Sequence, residues 1–150
     1  MRVIIQRVKN AQVIINKSEK RTVESGLLVF LGIEAADYTS DVKWLVNKVL
    51  NLRIFNDENE IMNHSLLDSG GGLMVISQFT IMAYTKNGNR PSYIRAAKHE
   101  HAFPLYKLFL TTAKMQLGKK VVSGTFGANM EVSLTNDGPI TIQIDSKNKE

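Results

Sequence analysis

Met130-Glu131-Val132-Ser133-Leu134-Thr135-Asn136-Asp137-Gly138-Pro139-Ile140-Thr141-Ile142-Gln143-Ile144-Asp145 alternates apolar and polar side chains on both sides of a central Asn-Asp-Gly-Pro. Successive side chains of a strand point to opposite faces, so Met130, Val132 and Leu134, and then Ile140, Ile142 and Ile144, each define a face to bury. Asp-Gly is a favoured hairpin turn, and the segment therefore reads as a half-buried antiparallel hairpin. Pro139 is the less ordinary element. It removes a backbone donor from the start of the second arm and admits a cis peptide bond.

Moving outward from this segment, Leu73-Met74-Val75-Ile76-Ser77-Gln78-Phe79-Thr80 is an apolar run that turns polar at its far end, behind the Gly70-Gly71-Gly72 break. Leu27 to Ile33 is apolar throughout, as expected of a strand buried on both faces. Val3 to Val8 and Ala11 to Ile15 read as two strands of a further hairpin joined at Lys9-Asn10. Two helices complete the set. Val42, Leu45, Val46, Val49 and Leu50 form one stripe behind cap candidates at Asp37 to Asp41. A second helix spans Ala102 to Leu117, with Pro104 tolerated in its first turn, Phe103, Tyr106, Phe109, Leu110, Ala113 and Leu117 inward, and Gly118 as its stop. Strands grouped around two main helices, without regular alternation, predict a single α+β domain with a mixed or largely antiparallel sheet. That domain is expected over residues 1–145. Ser146 to Glu150, basic and without apolar residues, is expected to be a disordered tail.

With 150 residues and 43% hydrophobic content, the chain suits one core. A net charge of +5 favours a polyanionic partner such as nucleic acid. The absence of cysteine excludes disulfides, thiolate nucleophiles and cysteine-based zinc sites. The N-terminus lacks the apolar run of a signal peptide, and no stretch has the length to span a bilayer. The expectation is a cytoplasmic protein without membrane association.

The usual catalytic devices are scarce. His64, His99 and His101 lack convergent ligands or a glycine-flanked serine, and they read as surface histidines with no metal site. Strand alternation places Ser77 and Phe79 on one face and Gln78 and Thr80 on the other. Those polar side chains need partners, whether at a surfacing strand end or around a ligand. Lys86-Asn87-Gly88-Asn89-Arg90-Pro91-Ser92, with Arg95 and Lys98 beyond, is either a solvated loop or a cradle for phosphate. Phe126 to Met130 can be strand core.

Taken together and in this order, Met1-Arg2-Val3, Gln6-Arg7-Val8, Asn51 to Phe55, Met62 to Asp68, Ser77 to Thr80, Arg90-Pro91-Ser92, Phe126 to Met130 and Asn136 to Thr141 resemble the D-aminoacyl-tRNA deacylases, also called D-tyrosyl-tRNA deacylases. The resemblance covers nearly the whole chain. Ile81-Met82 departs from the family's usual Leu-Tyr but stays apolar. The resemblance implies a homodimer with a barrel-like core, acting on aminoacyl-tRNA without a cofactor or metal. It implies a catalytic segment of Ser77, Gln78, Phe79 and Thr80, with backbone N–H groups of Phe79 and Thr80 facing an oxyanion. It implies substrate-binding residues Arg7, Phe126, Met130, Asn136, Gly138, Pro139 and Thr141. The Gly138-Pro139 bond is expected to be cis and to enter the partner's pocket, with Arg7 holding its loop. Carbonyls there would take the substrate ammonium and block an L side chain, and Gly-tRNA would be a side substrate. The terminal 2′-OH would assist. Alternatives are a non-catalytic tRNA-binding module and a hydrolase with Thr80 or Ser77 as covalent nucleophile; no base within the motif would activate Thr80.

Overall fold

Strand β1 (Arg2–Ile15) organises the sheet, because both of its edges are paired along nearly all its length. The computed structural model describes residues 1–150, apart from the side chain of Lys119. After β1 come β2 (Glu19–Val23), β3 (Gly26–Gly32), α1 (Thr39–Asn51), β4 (Phe55–Asn56), β5 (Met62–His64) and the short α2 (Leu66–Ser69). The chain continues through β6 (Gly72–Ser77), α3 (His99–Leu117), β7 (Val121–Ser123) and β8 (Met130–Asp145). One edge of β1 takes β3 along Arg2–Val8 and β2 along Ala11–Ile15, both antiparallel. The other edge takes β8, from Arg2 opposite Asp145 to Ile15 opposite Met130. β3–β6 and β6–β7 are parallel, so the sheet is mixed.

The sheet curls until its ends nearly meet. Arg21 of β2 donates from Nη1 to the carbonyl of Ser123 in β7 at 2.6 Å, linking the two ends of the path β2-β1-β3-β6-β7. Where β3 and β6 begin side by side, Gly26 is required by space: a Cβ there would lie 1.9 Å from the Gly72 carbonyl oxygen. The expected α+β domain with a barrel-like core is what the chain forms, with three helices instead of two main ones, the extra being the one-turn α2.

Two apolar cores flank β3 and β6. Leu27, Val29, Leu31, Leu73 and Val75 face α1 and α3, meeting the predicted stripe of Val42, Leu45, Val46, Val49 and Leu50 and also Phe109. Leu28, Met74 and Ile76 face the barrel interior with Val8, Val13 and Ile15. Burial on both faces explains why these strands read as continuous apolar runs. Among the described residues, no helix is long and apolar enough to cross a membrane.

Two expectations are corrected. First, neither hairpin exists: the segments on either side of Lys9-Asn10 form one strand, as do those on either side of Asp137-Gly138. The two irregular points lie opposite one another, where β1 advances from Gln6 to Val8 while β8 recedes from Thr141 to Asn136. Alternation is identical in a hairpin and in a bulged strand, so local pattern does not choose between them. The choice comes from the 14-residue β1 offering donors and acceptors to all of β8. Second, β6 ends at Ser77, and Phe79–Met82 forms a 3-10 turn, so the alternation expected across Ser77 to Thr80 does not apply. The chain bends there because Gln78 N–H donates to the Leu31 carbonyl at 2.8 Å and Met82 is drawn into the interior. The segment that begins at residue 146 makes polar ties to Met1 and to α1. Ser146 is buried, its N–H donates to the Met1 carbonyl at 2.8 Å, and its hydroxyl donates to Asp41 at 2.7 Å. Lys147 pairs with Asp41 at 2.8 Å. These bonds are polar, which is why apolar content gave no sign of them.

Candidate functional site

A cavity of about 320 Å³ opens at the end of β6. Ser77, Gln78 and Phe79 form one wall and Phe126, Met130 and Val132 another, with Ala97 and Ala102 closing it beside the start of α3. Phe126 is held from behind by aromatic contacts with His99, Phe103 and Tyr106, all with ring centroids 5.4 Å away. The Tyr106 hydroxyl donates to the Val75 carbonyl at 3.2 Å, and burial pushes it up to about 12, keeping it protonated. The lining is therefore mostly apolar, with Ser77, Gln78 and Asn129 as its polar side chains.

Gln78 and Thr80 point toward each other, the Gln78 amide donating to the Thr80 hydroxyl. No histidine or carboxylate hydrogen-bonds that hydroxyl among the described residues, so nothing adjacent can take its proton. Phe79 and Thr80 are the first residues of the 3-10 turn, and N–H groups at that end have no partner within the turn. The cavity wall thus offers the Gln78 amide and the half-exposed Phe79 ring, next to a turn whose first N–H groups have no partner within it.

The second predicted segment stands elsewhere. Arg7, Asn136, Gly138, Pro139 and Thr141 do not line this cavity. They form the bulge of β8, where the Gly138-Pro139 peptide bond is cis and both residues are exposed. Gly138 has φ +127, in the region that favours glycine, and a Cβ there would lie 2.9 Å from Ile140 Cγ1 and 3.4 Å from an Arg7 terminal nitrogen. Arg7 is buried beneath the bulge. Its Nε donates to the Asp137 carbonyl at 3.2 Å and lies 3.2 Å from the Asp137 carboxylate. Its Nη1 donates to the Ile54 carbonyl at 2.6 Å. Asn136 shapes the bulge from above, accepting from Ile140 N–H at 2.9 Å and donating to the Thr141 hydroxyl at 3.0 Å. A buried guanidinium and an amide therefore fix the backbone of an exposed loop.

The family profile described as D-Tyr-tRNA(Tyr) deacylase matches residues 4–145. The chain belongs to this family. A D-aminoacyl-tRNA deacylase of Flavobacterium psychrophilum is 55% identical over 150 residues, covering all of both chains. A solved structure of a c-Myc DNA unwinding element binding protein superposes with TM-score 0.91 at 33% identity, covering 97% of this chain and 98% of its own. Another, described as a probable eukaryotic D-amino acid tRNA deacylase, has TM-score 0.84 at 16% identity, covering 95% of this chain and 97% of that one, and shows the fold alone.

In this deacylase-family chain the cavity gathers Ser77, Gln78, Phe79, Phe126 and Met130, whereas the Gly138-Pro139 group stands apart from it. Sequence reading missed Ala97, Ala102 and Asn129 as lining residues, and small side chains leave no signal of such a role. It also missed the Ile54 carbonyl and Asn56 as partners of Arg7. An arginine between Gln6 and Val8, in a strand with Ile4, Ile5 and Val8 around it, was the available clue. Among the described residues, no three His, Asp or Glu side chains converge as metal ligands would.

Proposed function

We propose that this deacylase-family chain removes D-aminoacyl groups from tRNA as a homodimer, each cavity being completed by the Gly138-Pro139 loop of a second copy. The observation that carries this reading is the separation of the two motifs: an exposed cis Gly138-Pro139, braced from below by Arg7, does not line its own chain's cavity. A braced backbone loop is suited to chiral selection. Its carbonyls sit where they cannot hop between rotamers, so they can hold an ammonium group and obstruct one enantiomer's side chain. Glycine has no side chain to obstruct, and Gly-tRNA is a side substrate on this reading.

For the ester itself, N–H groups of Phe79 and Thr80 stabilise the developing oxyanion, a role that needs fixed donors and no titratable side chain. Ser77 and Gln78 position the aminoacyl group, and Phe126 and Met130 flank the adenosine, whose 2′-OH assists the attack of water. Thr80 does not act as nucleophile, because its hydroxyl has an amide beside it and no base.

The test compares hydrolysis of D-Tyr-tRNA, L-Tyr-tRNA and Gly-tRNA. Cleavage of the D and glycyl esters with the L ester spared is expected; equal rates on D and L esters would overturn chiral selection. A substrate with hydrogen in place of the terminal 2′-OH should be cleaved much more slowly, and full turnover on it would remove the ribose from the mechanism.

A further inference from the structure

Beside the cavity lies a flap that the catalytic reading leaves without a role. Tyr84 and Ser92 form a two-way backbone bridge, with Tyr84 N–H to the Ser92 carbonyl at 2.8 Å and the reverse bond at 3.0 Å. The bridge closes the loop that carries Lys86, Gly88 and Arg90. Beyond it the chain presents Tyr93 and Ile94. Large apolar groups are unusually open here: Tyr84 is 39% exposed, Tyr93 38%, Ile94 88% and the neighbouring Phe79 56%. The patch is continuous with the cavity, since Tyr93 meets the Phe79 ring edge-on at 5.0 Å and Phe79 is itself a wall of the cavity.

Charge on the flap has one sign. From Ala83 to Lys98 the cations are Lys86, Arg90, Arg95 and Lys98, with no Asp or Glu. Arg95 approaches Glu34 at 3.4 Å, while Lys86, Arg90 and Lys98 have no carboxylate within ion-pair distance among the described residues. Exposed rings interleaved with uncompensated cations are what a single-stranded nucleic acid requires: rings for base faces, cations for the backbone. A protein-facing patch of this size would be depleted of charge at its centre.

We propose that the flap from Tyr84 to Lys98 receives the unpaired 3′ nucleotides of tRNA that precede the terminal adenosine, stacking bases on Tyr84 and Tyr93 and holding phosphates with Arg90 and its neighbouring lysines. The proposal rests on the reading of the cavity as the seat of that adenosine. It assigns the flap to gripping the strand and leaves the chemistry to the cavity.

The full chain tests it by two measurements. Binding of uncharged tRNA is compared with binding of the same tRNA trimmed of its unpaired 3′ nucleotides, for the wild type, Tyr84→Ala, Tyr84→Phe and Arg90→Ala. The wild type should prefer the intact end by about ten-fold or more. Tyr84→Ala should lose most of that preference and Tyr84→Phe, which keeps the ring, should retain it. Arg90→Ala should weaken intact tRNA and lower the salt dependence of log affinity by about one. In parallel, Tyr84→Ala should raise KM for D-aminoacyl-tRNA about ten-fold while leaving hydrolysis of 3′-D-aminoacyl-adenosine within two-fold. Equal loss on intact and trimmed tRNA, equal loss on the adenosine ester, or a changed oligomeric state would overturn the proposal, the last by showing that a second copy covers the patch. Binding needs no turnover. A wild type that prefers the intact end but cleaves neither substrate would retain the flap and refute the deacylase reading.

Discussion

The turn at Gln78–Met82 and the bulge at Asn136–Thr141 are both places where a strand stops being regular, yet they are built in opposite ways. The turn lies at the mouth of a cavity made by its own chain, anchored by a main-chain bond from Gln78 to Leu31 and by the burial of Met82. The bulge is exposed and held from underneath by a buried arginine that also reaches Ile54. In the turn, the first backbone N–H groups have no partner within the turn; in the bulge, side-chain donors are used up fixing a backbone. On the proposed reading the labour is divided between them, chemistry at the turn and stereochemical gating at the bulge, with both functions assigned to main-chain atoms.

The largest expected effect comes from forcing the two regions to work across chains. Gly138→Ala places a methyl against Ile140 and Arg7 at a φ of +127 and should reduce D-ester hydrolysis by about 100-fold or more. Phe79→Pro, which deletes one donor at a first-turn position, should do the same from the other side. Refolded together in equal amounts, the two inactive variants should regain about a quarter of wild-type activity, because mixed dimers hold one intact site. No recovery would break the cross-subunit arrangement.

Next in size is the brace. Arg7→Ala strands the Asp137 and Ile54 carbonyls and should cost about 2–4 kcal/mol in denaturant unfolding, with D/L discrimination falling as the bulge loosens. Arg7→Lys keeps the charge but not the fork, so it should fall between. If discrimination survives Arg7→Ala intact, the bulge does not gate chirality.

Smaller still is the effect expected at Thr80. Thr80→Ala should lower kcat by less than about ten-fold, since the turn's N–H groups remain; a loss on the order of 10³ or more would reinstate the hydroxyl as nucleophile. The smallest effect lies far from both regions. Burial works to raise Asp41, but bonds from Lys147, the Tyr38 N–H and Ser146 outweigh it and hold the carboxyl at about 2 against an ordinary 3.8. The folded value is the lower one, so this stabilisation is complete above the ordinary value and is lost as pH falls toward 2. Lys147→Ala should flatten that acid limb in melting curves taken from pH 5 downward, without altering D/L selectivity.

Much of this molecule was legible in one dimension. The apolar stripe from Val42 to Leu50 and the doubly buried runs at Leu27–Leu31 and Leu73–Ile76 follow from periodicity, which reports how many faces an element buries, and the α3 stop follows from glycine at position 118. The site was legible only through its motifs, because Ser77 to Thr80 and Asn136 to Thr141 have adequate local explanations as a strand end and a turn. Composition said nothing of Ala97 and Ala102 in the cavity wall, nor of the polar ties at Ser146 and Lys147.

By itself, then, the sequence determined the apolar core faces and the main strands and two long helices, since side-chain chemistry and its period are local properties. Only the tertiary structure decided that β1 and β8 are single strands lying side by side, and that their bulges coincide. It alone decided that Arg7 lies beneath Gly138-Pro139 and that this loop does not line the cavity at Phe79. Backbone pairing partners and the reach of a buried arginine depend on which distant segments meet, and an alternating pattern looks the same whether it folds back on itself or runs on beside another strand.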